Sequence, residues 1–385
     1  MRVVVATRKD DWDPTTRVSG VEVAPVPAGA DSRLEALRGV AGSSLRLALR
    51  HPGRLASLLR RVSAPSRYRS RRARLWKRVD LLRSHLRLAQ LSPDIVHFEW
   101  ESAAADHLAL FPVWGCPVVM SCHGSGVHVE PHTPAGSRRL GDLRTAFQAA
   151  AAVRCVSQAT RDEAVRYGLD PGRAWLIRSA VDTEFFRPPD RRPPSPALRV
   201  VTVGRLRWVK GHELALEAIR RLADEEVPVE LEMLGDGPDR ERVRYAIQDM
   251  GLEDRVRMHG MGTPGEVRRR LQRADVLLHP SLSEGGGPPT VVLEAMACGL
   301  PVVVTDCGGV CEGVRDGIHG LVVAPRDARG MALALRRLAG DPDLRERMGR
   351  AGRALVEADF QLTSQTDELM ALYGHVGARP ERLPA

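Results

Sequence analysis

A glycine-rich segment with two acidic side chains, SLSEGGGPPTVVLEAMACGLP (281–301), holds the strongest candidates for chemistry. Glu284 lies in the loop and Glu294 in the apolar helix predicted to follow. Because ionised carboxylates are strong acceptors for hydroxyls, Glu294 suits a ribose diol and Glu284 a sugar. Backbone N–H groups are predicted to be open to phosphate or sugar oxygens at three glycines, Gly285, Gly286 and Gly287. The segment predicts a site for polyhydroxylated or phosphorylated ligands; a surface turn with a solvated carboxylate is the alternative.

Two cations lie in a second motif, VGRLRWVKG (203–211), between a predicted strand and a predicted helix. Arg205 and Lys210 would lie at the carboxyl end of that strand and near a helix N-terminus, which suits a diphosphate. Lys210 is the sharper signal, because the chain has only three lysines and strongly favours arginine. A solvated turn is the alternative here.

A histidine candidate lies in SCHGSG (121–126), at the end of another predicted strand. The glycines on both sides of His123 would let a ligand approach its ring and backbone, and a structural histidine is the alternative. His128 and His132 follow, but their spacing matches no recognised metal pattern, so no metal site is predicted. The chain has no GxxxxGK[ST] loop and no GxGxxG after its first strand, which argues against ATP hydrolysis and dinucleotide binding.

Alternating strand and helix patterns must position these residues. Helical periodicity in segments such as 212–223 and 265–274 separates apolar runs, which predicts α/β domains with doubly wound parallel sheets. The predicted strands of the second half are 199–204, 229–235, 255–260, 274–279, 301–306 and 320–325. Those of the first half are 3–7, 94–100, 117–124, 152–157 and 174–181.

A proline-rich run, RPPDRRPPSP (187–196), divides the chain and is incompatible with helix or central strand. We predict an N-terminal Rossmann-like domain over 1–186, a linker over 187–198 and a C-terminal Rossmann-like domain over 199–360. A helix and tail over 361–385 could pack back on the first domain. The two domains would face each other across a cleft.

Basic residues concentrate in 44–90, which holds fourteen of them and a single acid, Asp80, in a chain of net charge +9. Such a partly amphipathic stretch predicts peripheral contact with an anionic membrane or a phosphorylated acceptor, with a solvated helix pair as the alternative. Tyr68 and Trp76 are its only aromatic residues and no recognition motif is present, so nucleic-acid binding is not expected.

Cysteine usage and hydropathy predict a cytoplasmic protein, and the basic stretch adds the option of peripheral attachment to the inner membrane face. The six cysteines form no CxxC pair, which fits a reducing compartment. No apolar stretch is long enough to span a membrane, and the N-terminus lacks a signal-like apolar core.

Together these motifs resemble those of the retaining glycosyltransferases of family 4, which have the GT-B fold of two Rossmann-like domains. The likeness covers nearly the whole chain in the right order. In the second half it is carried by GRLRWVKG, LGDGP (234–238), SLSEG…LEAMACGLPVV and GGV…GVRDGIHGLVVAPRD. In the first half it is carried by PDIVHFEW, PVVMSCHG and CVSQATRDEAVRYGL…VDTEFFRP.

The resemblance implies transfer of a sugar from a nucleotide-diphosphate sugar to an unidentified hydroxyl acceptor, with retention of configuration. UDP is the commonest donor nucleotide in the family, and polysaccharides, glycolipids or glycosylated natural products are the expected products. No cofactor and no essential metal are expected. Front-face attack, in which the departing phosphate helps to take the acceptor proton, would need no dedicated base.

The resemblance also implies that the N-terminal domain lies on the acceptor side and that the C-terminal domain binds the nucleotide-sugar, with roles for individual residues. Arg205 and Lys210 would hold the diphosphate and stabilise the leaving nucleotide. Glu294 would bind the ribose, Glu284 the hydroxyls of the transferred sugar, and His123 the donor sugar near the reacting carbon. The loops bordering the nucleotide base would include Gly235 and Gly262.

Three departures from the family pattern keep other functions open. Nine residues separate Glu284 from Glu294, where the family usually has seven. The loop ATRKDDWDPTT lacks the usual Gly-Gly, and RSAVD lacks the usual Asn-Gly before Val-Asp. Asp11 and Asp13 form a DxD pattern of another glycosyltransferase fold, but such matches are common by chance. The alternatives are a catalytically silent nucleotide-sugar binder and an epimerase or phosphorylase of the same fold.

Overall fold

The computed structural model describes residues 3–8, 21–26, 33–61, 79, 82–133 and 136–377, with side chains described from residue 40 onward apart from 130 and 136–138. The DxD pattern at Asp11 and Asp13 and much of the basic stretch, 62–78, lie outside the described residues.

Three sheets form the described fold, and every strand pairing in them is parallel. A two-stranded sheet pairs β1 (Val3–Arg8) with β2 (Val21–Val26). The four-stranded sheet has the order β3-β4-β5-β6, and the six-stranded sheet the order β12-β11-β10-β7-β8-β9. Their strands are β3 (Val96–Phe98), β4 (Val118–Cys122), β5 (Ala152–Cys155), β6 (Ala174–Leu176), β7 (Leu198–Val203), β8 (Val229–Leu234), β9 (Val256–Gly260), β10 (Val276–His279), β11 (Val302–Thr305) and β12 (Gly320–Val323). The prediction of α/β domains built on parallel sheets is confirmed.

Helices connect these strands. The first half contains α1 (Arg33–Arg50), α2 (Pro52–Arg61), α3 (82–88), α4 (Glu101–Asp106), α5 (Phe111–Trp114), α6 (Gly136–Ala149) and α7 (Gln158–Arg166). The second half contains α8 (His212–Asp224), α9 (Arg240–Asp249), α10 (Pro264–Arg273), α11 (Thr290–Ala297), α12 (Ala328–Gly340), α13 (Pro342–Asp359) and α14 (Leu362–Gly377).

The six-stranded sheet is covered on both faces, which explains its continuous runs of Val and Leu. All residues of β10 and β11 are buried. One face packs against α8 and α12 through a core that includes Leu216, Leu231 and Leu335. The other packs against α11 through a core that includes Leu293 and Met296. Each fully buried side chain of this size contributes about 1.5–3 kcal/mol of transfer free energy, so the sheet is a rigid base for the loops above it.

The strand order reverses between β7 and β10, and this point positions the candidate residues. From β7 the chain runs through α8 to β8 on one side, whereas from β10 it runs through α11 to β11 on the other. The loops leaving the two neighbouring strands therefore diverge to opposite faces. Open α/β sheets bind ligands in the crevice outside the carboxyl ends of the strands at such a switch point.

The C-terminal helix returns to the four-stranded sheet. Residues 187–197 form neither helix nor strand. After α13 the chain forms an isolated bridge between Val181 and Gln361, and α14 follows. Leu372 and Val376 of α14 are buried in a core with Val119 and other residues of that sheet.

The strands of the first half differ from their predicted lengths. β2 was not predicted, and β3 and β6 each have only three residues where the apolar runs predicted seven or eight. The run 94–100 ends early as a strand because Trp100 becomes the N-cap of α4. At 174–181 the chain leaves the sheet after Leu176 and pairs again only at Val181.

Candidate active site

Two loops meet where β7 and β10 end side by side. The Leu282 N–H donates to the Val209 carbonyl oxygen over 2.8 Å and ties the loops together. Gly211 has a φ of 67°, and a Cβ there would lie 2.0 Å from the Pro280 carbonyl oxygen. Glycine is therefore required for this approach, which holds the loop of Lys210 against the loop that follows β10.

Lys210, Glu284 and His279 form one charged cluster at this junction. The Lys210 Nζ donates to both carboxylate oxygens of Glu284 over 2.7 and 2.8 Å, and the His279 Nε2 donates to Oε1 over 2.7 Å. The Glu284 side chain is only 11% exposed. Burial alone would raise its pKa, but the hydrogen bonds and charges of His279 and Lys210 lower the pKa of Glu284 to about 2. Glu284 is thus ionised at neutral pH and fixes the position of the Lys210 ammonium group.

The second predicted cation, Arg205, lies on the same loop and is exposed. Its carbonyl oxygen accepts a hydrogen bond from His212 Nε2 over 3.1 Å, which fixes the backbone at this point. Within the described part of the chain, no side chain pairs with its guanidinium group. Arg205 therefore offers an unengaged set of donors beside the Lys210 cluster.

Glu294 lies in the middle of α11 and is isolated. Burial raises the pKa of its carboxyl group to about 7. No side chain or backbone N–H of the described residues donates a hydrogen bond to it. A half-buried carboxylate without a donor is suited to a ligand that brings hydroxyl donors of its own.

If Glu294 binds a ribose diol, as the resemblance implies, this pKa predicts a pH-dependent affinity for a nucleoside diphosphate. Only the ionised carboxylate is a strong acceptor for a diol, so the affinity should rise as the pH increases through 7. Between pH 6 and pH 8 we expect about a tenfold gain in affinity for a nucleoside diphosphate, measured by calorimetric titration. Glu294→Gln, which keeps the shape but cannot titrate, should reduce the slope to the part contributed by the terminal phosphate of the ligand. The same slope in that variant would contradict the assignment.

Two further predicted positions, Gly235 and Gly262, lie in loops after β8 and β9 of the same domain. Gly235 has a φ of 142°, and a Cβ there would lie 1.9 Å from the Gly204 carbonyl oxygen. Glycine thus allows the loop after β8 to approach the loop after β7. Gly262 is half-buried and makes ordinary contacts with Leu234 of β8 and with α10.

The three glycines of the loop, Gly285, Gly286 and Gly287, lie against the N-terminal domain. A Cβ at Gly285 would lie 3.1 Å from the His123 carbonyl oxygen, and one at Gly286 would lie 2.2 Å from Thr160 Oγ1. Gly287 is buried beside Val156. Gly287 is therefore the least accessible of the three, because the loop folds across the cleft and packs on the other domain. That the N–H groups of these glycines bind ligand oxygens stays a prediction.

His123 lies across the cleft from this loop and has partners that the sequence did not indicate. Its Nε2 is 3.8 Å from Glu99 Oε2, and its ring centroid is 4.6 Å from that of the exposed Trp100. The nearby imidazole of His123, opposed by burial, lowers the pKa of Glu99 to about 2. The buried carboxylate of Glu101 accepts from the Gly126 N–H over 2.6 Å and fixes the loop after β4. The FEWE run at the end of β3 was the available signal for these residues.

Glu312 connects the domains near the same cleft. Its two carboxylate oxygens accept from the N–H groups of Gln158 and Ala159, over 2.8 and 2.9 Å, at the start of α7. An anionic side chain is favourable at a helix N-terminus, where backbone N–H groups lack intrahelical partners. The structure thus brings His123, Glu284 and Lys210 to one interdomain cleft in a closed arrangement.

Two family models match the chain. The model described as Glycosyltransferase Family 4 matches residues 2–185, and the one described as Glycosyl transferases group 1 matches residues 185–355. The chain is 30% identical over 298 residues to the alpha-D-kanosaminyltransferase of Streptomyces kanamyceticus, covering 73% of this chain and 76% of that protein. It is 32% identical over 298 residues to a D-inositol 3-phosphate glycosyltransferase of Paenarthrobacter aurescens, covering 71% of each chain.

Solved structures show the same fold. The sucrose-phosphate synthase of Thermosynechococcus elongatus superposes with a TM-score of 0.75 at 21% identity, covering 98% of this chain and 89% of that one. The Anabaena protein Alr3699/HepE in complex with UDP-glucose superposes with a TM-score of 0.64 at 20% identity, covering 75% and 82%. The architecture is thus the predicted GT-B fold, and the chain belongs to glycosyltransferase family 4.

Proposed function

We propose that this protein is a retaining glycosyltransferase that moves a hexose from a UDP-sugar to a hydroxyl acceptor. One observation carries the proposal: the Lys210–Glu284–His279 cluster lies at the switch point of the C-terminal sheet, on the cleft that faces His123. The UDP-glucose bound to the Anabaena structure supports a UDP-sugar as donor, and the family membership supports sugar transfer.

The C-terminal residues would bind and stabilise the donor. Arg205 and Lys210 would neutralise the diphosphate, so that negative charge developing on the leaving nucleotide meets fixed cations. Glu294 would accept from the ribose hydroxyls and Glu284 from a hydroxyl of the sugar. Because two cations take this role, we propose that turnover needs no divalent metal and would withstand EDTA.

Retention would follow because the acceptor oxygen attacks the anomeric carbon from the same face that the leaving group leaves. The bond between the anomeric carbon and the diphosphate oxygen breaks, and the acceptor oxygen bonds to the same face of that carbon. The acceptor proton passes to the departing diphosphate oxygen, and the nucleoside diphosphate leaves with the electron pair. His123 would contact the donor sugar, and the closed cleft would keep water from the reacting carbon.

A donor screen tests this function. The purified protein is incubated with UDP-, GDP- and ADP-sugars in the presence of an acceptor panel, and nucleotide release and product mass are recorded. The anomeric configuration of the product, read by NMR, tests retention. Binding without turnover across the panel would favour the silent binder. Sugar isomerisation with donor alone would indicate an epimerase, and sugar phosphate formed with added phosphate a phosphorylase.

The acceptor side includes a surface that suits an anionic membrane. Leu45 and Leu49 of α1 are 63% and 77% exposed, one helical turn apart. Exposed arginines lie around them and on α2: Arg46, Arg50, Arg60 and Arg61. We propose that this surface holds the protein at the cytoplasmic membrane face near a lipid-linked acceptor. Within the described helices none is long and apolar enough to cross a membrane.

Vesicle co-sedimentation tests the membrane surface. Binding to vesicles with anionic lipid should be salt-sensitive and should fall several-fold in Leu45→Ser/Leu49→Ser, because the apolar side chains no longer enter the interface. Leu333→Ser, at an exposed leucine of α12, is the matched control. A lack of binding at low salt would exclude this contact.

A further inference from the structure

A cavity of about 270 Å³ lies beside the N-terminus of α8, next to the loop that carries Lys210. Residues of the C-terminal domain line it, among them Arg207, Trp208, His212, Asp239, Arg242 and Arg326. The predicted donor residues Arg205, Lys210, Glu284 and Glu294 lie outside its lining. The short turn Trp208–Lys210 therefore separates the cavity from the proposed donor site. Trp208 lines the cavity, whereas Lys210 belongs to the donor site.

The rim of the cavity is cationic. Arg207 and Arg326 are exposed and are not engaged in an ion pair with any residue that the structure describes. Arg242 is paired with Glu213 over 2.5 Å, which fixes its guanidinium group on the rim. Two unengaged guanidinium groups at the mouth of a cavity match the oxygens of a phosphate group, for which arginine has the best hydrogen-bonding geometry.

The inner wall of the cavity carries two hydrogen-bond acceptors to which no group of the protein donates. His212 is only 4% exposed, and its Nε2 must carry the proton, because its partner is the Arg205 carbonyl oxygen. Burial lowers the pKa of His212, so the ring is neutral and its Nδ1 is an acceptor. Nδ1 has no hydrogen-bond partner, and neither has the buried Oδ2 of Asp239. Buried acceptors of this kind are costly unless a ligand supplies donors, and hydroxyl groups are suitable donors.

Trp208 completes the wall with an apolar surface. It is 62% exposed, and the indole therefore offers a flat face to a ligand. The C–H groups of a sugar ring match such a face, while the hydroxyls of the ring point outward to polar groups. The cationic rim, the inner acceptors and the aromatic wall thus complement three parts of one molecule: a phosphate group, hydroxyl groups and the C–H face of a ring.

We propose that this cavity binds a phosphorylated sugar outside the transfer centre. The phosphate would lie on Arg207 and Arg326, the ring on Trp208, and ring hydroxyls would donate to His212 Nδ1 and Asp239 Oδ2. Because Trp208 and Lys210 share one turn, a ligand in the cavity would hold the backbone of Lys210 and so affect diphosphate binding, a coupling that rests on the proposed function. The site would then act as an effector site that couples donor binding to the supply of sugar phosphate.

Calorimetric titration of the full chain tests the site by binding alone, so its result does not depend on the proposed transferase activity. The probes are glucose 6-phosphate, fructose 6-phosphate, mannose 6-phosphate and N-acetylglucosamine 6-phosphate. At least one should bind with a dissociation constant of about 1 mM or tighter, and at least tenfold more tightly than inorganic phosphate or glucose. No binding by any of the four, or equal binding of inorganic phosphate, would overturn the proposal.

Three variants locate the binding. Arg326→Glu should weaken it at least tenfold, whereas Arg337→Glu, the same charge change at an exposed position of α12, should leave it unchanged. Lys210→Ala should retain it, because Lys210 does not line the cavity. Unchanged binding in Arg326→Glu, or loss in Lys210→Ala, would place the ligand elsewhere and overturn the proposal. Melting temperatures of all three variants check that each is folded.

Discussion

Replacement of Lys210 by alanine will reduce turnover with the best donor by about 100- to 1,000-fold, because under the proposed mechanism the leaving diphosphate loses a fixed donor in a partly buried site. The ammonium group is held by both oxygens of Glu284 at 2.7 and 2.8 Å. The loss should therefore appear mainly in kcat, since Arg205 still contributes to the binding of the diphosphate. Steady-state kinetics with the donor identified by the screen measure the effect.

The matched control is Arg220→Ala, which removes one positive charge from an exposed ion pair with Asp224 on α8. It should retain nearly full turnover, because exposed pairs contribute only about 0–1 kcal/mol. Lys210→Ala also leaves the buried Glu284 with His279 as its remaining partner. Lys210→Ala/Glu284→Gln, which removes the unpaired charge, separates this effect from the loss of the cation. Full turnover in Lys210→Ala would show that the site has been assigned wrongly.

The sequence predicted the C-terminal half well because local patterns determine it. Each strand of the six-stranded sheet is an apolar run bounded by turn residues, and its burial on both faces makes the run continuous. Lys210 could be singled out because a lysine departs from the arginine-rich composition. The position of Lys210 after one strand and of Glu284 after another then placed both at the carboxyl ends of a parallel sheet.

The contacts of these residues could not be predicted in the same way. Lys210 and Glu284 are 74 positions apart, and their pairing depends on β7 and β10 being neighbours, which only the strand order reveals. The sequence predicts His279 as the last residue of a strand, but nothing in the sequence indicates that it contacts Glu284. Glu99 and Trp100 were hidden because their run predicted a longer strand, although helix α4 starts there.

The fold shows how the loop between Glu284 and Glu294 accommodates its two additional residues. Despite the longer loop, Glu284 still reaches Lys210 and His279. The loop folds toward the N-terminal domain, where a Cβ at Gly124 would lie 1.6 Å from the Gly285 carbonyl oxygen. Backbone thus meets backbone across the cleft, so the loop that carries the proposed donor residue Glu284 also packs on the N-terminal domain.

Gly286→Ala tests this role in closure. The added Cβ would lie 2.2 Å from Thr160 Oγ1, which is buried and hydrogen-bonded to Ser157. Gly286 is not among the residues with positive φ, so alanine fits its own backbone and the clash arises only when the domains close. We expect about a 100-fold loss of turnover from displaced reacting groups, with an unchanged melting temperature. Small-angle scattering should show a larger radius of gyration.

Two further variants make this result specific. Gly265→Ala, at a half-buried position of α10 where a Cβ finds only ordinary contacts, should have wild-type turnover. Thr160→Ala removes the atom that the new Cβ would meet, so Gly286→Ala/Thr160→Ala should regain part of the lost turnover, limited by the His123 carbonyl oxygen 3.1 Å away. If Gly286→Ala is fully active, the closed contact between the glycine loop and Thr160 does not form during turnover.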